Sequence, residues 1–130
     1  PKEYKRKLSV LCNCSIQTTN QTLVEISRYV CENFQSPITV KSCAEALFLP
    51  VSAIENSIRC FHGNTVSFNK YVRSFRMRYA ESLLTVSDMH VCDVAIEAGF
   101  NSPHTFTRFF KLYGVTPSQY RKEAKEHAPE

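Results

Sequence analysis

The stretch that most restricts the fold is VAIEAGFNSPHTFTRFFKLYGVTP, residues 94–117. Val91, Val94, Ala95 and Ala98 recur at helical spacing, and Gly99 then offers the positive φ that ends a helix in a left-handed cap. Only Phe100 and Asn101 intervene before Ser102 and Pro103, a side-chain oxygen for an orphan N–H followed by a ring already set at helical φ. The spacing therefore predicts two short helices joined by a tight turn, the second burying Phe106, Phe109 or Phe110, and Tyr113. Its other side carries His104, Thr107, Arg108 and Lys111. That face is polar, compact and basic, which suits an element lying in a DNA major groove.

The rest of the chain extends the same pattern. Residues 1–20 are polar and poorly periodic, and read as a linker or the end of a preceding domain. Thr22 and Glu25 have capping-box spacing, and Leu23, Ile26, Val30 and Phe34 mark one face of a first helix. Thr39 can cap a second helix with Val40, Cys43, Ala44 and Leu47 inward. After the turn FLP a third runs from about residue 51 to 61, with Ile54, Ile58 and Phe61 on one side and Ser52, Glu55, Asn56 and Arg59 on the other. A long helix over about 67–84 has the stripe Phe68, Val72, Phe75, Tyr79 and Leu83, and a last helix opens with Thr116, Pro117 and a capping-box Gln119. No segment alternates like a strand. The expected fold is all-α, with two helix-turn-helix subdomains, at about 39–62 and 91–113, joined by a long connecting helix, within a domain spanning 21–127.

At 130 residues the chain can bury one core or two small ones that share a helix. A net charge of +4 permits nucleic-acid binding without demanding it, since many soluble domains are mildly basic. The N-terminus is too polar for a signal peptide and no apolar run could span a bilayer, so a cytoplasmic protein is expected. The chain does not open on Met, and a fragment of a larger protein fits that start. Of the six cysteines, Cys31, Cys43, Cys60 and Cys92 fall in predicted helices at irregular spacing and read as small buried thiols, while Cys12 and Cys14 lack a second pair at zinc spacing. No Gly-rich phosphate loop, carboxylate pair or nucleophile-base arrangement supports an enzyme, and no metal or cofactor is expected.

The run SDMHVCDVAIEAGFNSPHTFTRFFKLYGVTPSQYRK, residues 87–122, closely resembles the C-terminal signature of AraC/XylS-type bacterial transcription regulators, and YVRSFRMRYAESLL resembles that family's connecting helix. The likeness covers about residues 22–122. It implies an all-helical DNA-binding domain whose two recognition helices enter successive major grooves on one face of double-stranded DNA, usually in an activator. It also implies RNA polymerase as a partner, and an N-terminal effector or dimerisation domain missing from this chain. Carried over position by position, the DNA-facing residues of the second unit are Pro103, His104, Thr107 and Arg108, with Lys111 nearer the backbone.

The first unit departs from the family pattern, because the usual Ser at the start of its reading helix corresponds to Pro50 or to Ser52. With Pro50 there, Ile54 and Ile58 are core, Gly63 matches a family Gly and the outward set is Ser52, Glu55, Asn56 and Arg59. With Ser52 there, Asn56 and Cys60 would have to be core. The first alignment is preferred, since an unpaired buried amide costs roughly 1–3 kcal/mol. Glu55 can accept from cytosine N4 or close a capping box with Ser52, and beside phosphates a carboxylate is otherwise unfavourable. It is also the main argument for an alternative, a helical protein-interaction module that keeps the fold but has weakened DNA readout.

Overall fold

The computed structural model describes residues 21–126, and among them every regular element is a helix. In chain order these are α1 (Gln21–Asn33), α2 (Val40–Leu47), α3 (Val51–His62), α4 (Phe68–Val86), α5 (Val91–Glu97), α6 (Pro103–Phe110) with a 3-10 turn at Lys111–Tyr113, and α7 (Pro117–Glu126). They form two compact units, one ending at Phe75 and the other starting at Arg76, so the boundary falls inside α4. The suggested linker at 1–20 lies outside the described residues.

In the first unit, α1 contributes Leu23, Ile26, Val30 and Cys31 to the core, followed by Phe34. Helix α1 is already under way at Gln21, so Thr22 lies within it and does not cap it. Helix α2 starts with the full capping box: Thr39 Oγ1 accepts from the Ser42 N–H at 3.1 Å, and Ser42 Oγ accepts from the Thr39 N–H at 3.0 Å. Cys43 and Ala44 are buried where α2 meets α3, while Val40 and Leu47 are only half-buried. Ile54 and Ile58 seal the core from α3, and Phe68, Tyr71, Val72 and Phe75 from the first part of α4. Phe75 sits against Tyr71 edge-on, ring centroids 5.1 Å apart, and tilted against Phe34 at 6.4 Å.

Phe61 does not complete the α3 stripe: it is 40% exposed. It lies in the last turn, just before Gly63 ends the helix at φ 102°, and its neighbour His62 is the side chain that meets Tyr71, with centroids 5.1 Å apart. Cys43 and Cys31 are buried thiols as expected, whereas Cys60 and Cys92 are exposed. Each stands two residues from a core position, Ile58 and Val94, and two residues are about 200° of helical rotation. Burial pushes the Cys43 thiol up to about 11.

The turn between α2 and α3 is closed by a left-handed residue that is not glycine. Phe48 has φ 56°, with its N–H donating to Glu45 O and the Leu49 N–H donating to Ala44 O at 3.0 Å, the paired bonds of a Schellman ending. Its ring is 93% exposed. An L-residue in this region costs roughly 1–2 kcal/mol, which the solvated ring does not recover. Phe48→Gly is therefore expected to stabilise the chain by about 0.5–1 kcal/mol, after the extra unfolded-state entropy of glycine is subtracted. Urea unfolding measures this, and lower stability in the variant would mean that the phenyl ring makes native contacts.

The second unit repeats the turn with glycine in the left-handed position. Gly99 has φ 99°, its N–H donates to Ile96 O at 3.0 Å and the Phe100 N–H donates to Ala95 O at 3.1 Å. Val94, Ala95, Ala98, Phe100, Phe106 and Phe110 are buried around this turn, with Tyr79, Ala80, Leu83 and Leu84 from the later part of α4. Helix α7 opens on the reciprocal Thr116–Gln119 box, both bonds 3.1 Å. It is fastened by the Arg121 Nε–H donating to Leu84 O at 3.1 Å, which satisfies one of the orphan carbonyls at the end of α4, and by an ion pair of Lys125 with Asp88. That lysine holds the Asp88 carboxyl below its ordinary value.

Candidate nucleic-acid interface

Helix α6 is built to present one side outward. Ser102 Oγ accepts from the Thr105 N–H at 3.2 Å and Pro103 occupies the first helical position, so the helix starts without free play. Its inner side is anchored by an aromatic cluster: Phe106 meets Phe100 at 5.2 Å and Phe110 at 5.4 Å, and Phe110 also meets Tyr120 at 5.3 Å. This settles the sequence ambiguity. Phe110 is fully buried and Phe109 is not.

On the outer side His104, Arg108 and Lys111 are exposed, while Pro103 and Thr107 are half-buried. The Arg108 guanidinium stands 5.3 Å from the centroid of the Phe109 ring, a cation-π contact between neighbours on the helix. Lys111 opens the 3-10 turn that follows α6. The change of helix type also corrects the expected stripe. Tyr113 packs on the Phe110 ring at 5.0 Å but is 51% exposed, because at three residues per turn it no longer follows the 3.6-residue pattern. Its phenol is pushed up to about 12, first by burial of the hydroxyl end and then by the Glu81 carboxylate that it faces.

In the first unit α3 begins after Pro50, which has extended φ and ψ and gives no side-chain cap. Ile54 and Ile58 are fully buried and Asn56 and Cys60 are exposed, as the alignment on Pro50 requires. Ser52 is then the second residue inside the helix, so the suggested Ser52–Glu55 capping box does not form. Glu55 has a different partner. Arg59 NH2 donates to Asn56 Oδ1 at 3.1 Å and lies 3.9 Å from Glu55 Oε2, while the Arg59 Nε–H reaches Glu55 O at 3.4 Å. The glutamate and arginine side chains are each 44% exposed, and Ser52 and Asn56 are exposed on the same helix.

Each predicted set is thus gathered on its own helix: Ser52, Glu55, Asn56 and Arg59 on α3, and Pro103, His104, Thr107, Arg108 and Lys111 on α6 and its extension. Sequence reasoning missed two local features. The Glu55–Arg59 clasp was legible in the i, i+4 spacing of a helix. The left-handed Phe48 had no such signal, since a phenylalanine there looks like any apolar turn residue. Among the described residues no three His, Cys, Asp or Glu side chains group as metal ligands, and no helix is long and apolar enough to cross a membrane.

Comparison with known proteins agrees with this architecture. A helix-turn-helix domain family matches residues 44–123. The chain is 31% identical over 117 residues to the HTH-type transcriptional regulator YijO of Escherichia coli, covering 87% of this chain and 41% of that protein. It is 27% identical over 120 residues to YtdP of Bacillus subtilis, another HTH-type regulator, covering 92% of this chain and 15% of that one. The chain therefore spans less than half of these relatives. Among solved structures it is similar to the C-terminal domain of AraT, a response regulator of Geobacillus stearothermophilus, with TM-score 0.72, 26% identity and coverage of 82% of this chain and 88% of that one. The fold is also that of the AraC-type regulator domain of Chromobacterium violaceum, with TM-score 0.75, 18% identity and coverage of 82% and 95%. With the glycine-closed turn, the capped α6 and the long α4 all in place, the chain belongs to the AraC/XylS-type helix-turn-helix family, a family of transcription regulators and not of enzymes.

Proposed function

We propose that this chain is the sequence-specific, duplex-DNA-binding domain of a bacterial transcription activator, entering two successive major grooves with α3 and α6. The observation that carries the reading is the outer side of α6. A short helix, capped at Ser102 and fixed by Phe106 and Phe110, turns His104, Thr107, Arg108 and Lys111 outward as one basic, hydrogen-bonding strip. Arg108 is the base-reading residue of this strip, Pro103, His104 and Thr107 line the same groove, and Lys111 meets a phosphate. On α3 the corresponding contacts fall to Ser52, Glu55, Asn56 and Arg59. RNA polymerase as partner, a cytoplasmic setting and a separate effector or dimerisation domain in the parent protein belong to the same proposal, on the strength of the family.

Entry of two nonidentical helices into successive grooves calls for an asymmetric site of about 20 base pairs. Titration of random and selected duplexes should show affinity falling about 10³-fold or more between low and physiological salt, as counterions are released. Arg108→Ala should keep the helical circular dichroism unchanged and relax preference at one base pair, costing about 1–3 kcal/mol of discrimination. A uniform loss on all sequences, with a salt slope about one unit flatter, would move Arg108 to a phosphate instead. Unchanged affinity across a panel of single-base variants would remove it from the interface.

A second reading, a helical module that binds a protein in place of DNA, is favoured by Phe48, whose ring is 93% exposed on the turn that leads into α3, and by the carboxylate of Glu55 on the reading face. No binding to any duplex at low salt would favour it.

A further inference from the structure

Glu55 is the one acid among the nine residues assigned to the reading faces, and it sits one helical turn from the strongest cation of its own face. Arg59 is held by that turn three ways, through Asn56 Oδ1 at 3.1 Å, the Glu55 carbonyl at 3.4 Å and the Glu55 carboxylate at 3.9 Å. Such a half-exposed i, i+4 pair adds little to the stability of the fold. Its consequence lies elsewhere, because the same carboxylate must be carried toward a wall of phosphates when α3 enters a groove. There it repels the backbone and keeps Arg59 from neutralising a phosphate.

Resting on the reading of α3 as a DNA-entering helix, we propose that Glu55 is the specificity gate of the first unit. On an arbitrary sequence the Glu55–Arg59–Asn56 clasp stays closed and α3 contributes little affinity. At a site that offers cytosine N4 to the carboxylate and guanine O6 and N7 to the guanidinium, both groups exchange each other for a base edge, and the cost of carrying the acid into the groove is offset. The major-groove edge of a G·C pair places that donor beside those acceptors, and residues four apart on one helix face are close enough to share it. Selectivity then arises from a repulsive element as much as from an attractive one.

The test uses the full chain with a selected duplex and a random-sequence duplex. Glu55→Gln removes the charge but keeps the shape. It is expected to raise affinity for the random duplex by about three- to tenfold, with a log–log salt slope steeper by about 0.9, the signature of one more phosphate contact, while affinity for the selected duplex falls. Reselection with this variant should lose the requirement for a G·C pair at one position in the first half-site. In the Arg59→Ala background the Glu55→Gln gain on random DNA should vanish. A gain that persists without Arg59, or that is equal on both duplexes, or no gain at all, overturns the gate while leaving DNA binding by the chain intact. Failure of the unaltered chain to bind either duplex removes the DNA-binding reading itself, and the gate with it. Far-ultraviolet circular dichroism of each variant verifies that α3 is still formed.

Discussion

Replacing Phe110 by alanine is expected to remove roughly 3–5 kcal/mol of stability, the range for an aromatic side chain lost from a closed core. Phe110 has no exposed surface, and its ring is met by Phe106 at 5.4 Å, Tyr113 at 5.0 Å and Tyr120 at 5.3 Å. Those three rings come from α6, the 3-10 turn and α7, so no single neighbour can move to fill the gap without loosening another element. The cost should therefore fall at the high end of the range, with a cavity left where the ring stood. Because α6 is held by this cluster and by Ser102 at its start, DNA binding should fail along with the fold of the second unit. Urea unfolding followed by circular dichroism checks the stability, and a curve that overlays the unaltered protein would mean that α6 packs through another side.

Ile58→Ala is expected to cost the first unit about 2–5 kcal/mol, whereas Asn56→Ala should change stability by no more than about 0.5 kcal/mol. Ile58 is fully buried and Asn56 is exposed, two residues away on α3, where its only polar contact described is the one it accepts from Arg59. The pair is a direct measurement of helix register. If Ser52 held the first position of the reading helix, the order would be reversed, since Asn56 would then be the packed residue and its truncation the costly one. Equal effects would show that α3 is not fixed in one register at all. Unfolding of the two variants under identical conditions decides, and the result carries over to which side chains of α3 can face a groove.

How far the sequence alone leads differs between the two units. The Gly99 ending, the Ser102–Pro103 start and the Thr116–Gln119 box are all local: each depends on side chains within a few residues, acting on backbone groups that any helix end leaves unsatisfied. They were legible for that reason, and so was the Thr39 cap. The buried stripe of α4 was legible too, because Phe68, Val72, Phe75, Tyr79 and Leu83 repeat at helical intervals over about four turns.

Packing decided what periodicity left open. Phe109 and Phe110 are equally apolar neighbours, and the packing of Phe106, Tyr113 and Tyr120 around Phe110 marks it as the inward one. Phe61 and Tyr113 continue their apolar stripes on paper, yet one lies in the last turn before the Gly63 ending and the other in a 3-10 turn with a different pitch, so both stay open to water. Phe48 shows the same dependence for the backbone. Its left-handed conformation is unfavourable by itself, and it is tolerated because α2 and α3 are each fixed by their own buried residues, Cys43 and Ala44 on one side and Ile54 and Ile58 on the other. Sequence determined where the helices begin, end and show a polar side, since those are short-range hydrogen-bonding and periodicity effects. Tertiary structure decided which of two adjacent aromatics is covered and which apolar residues at helix ends stay open to water, because burial depends on what other elements bring within reach.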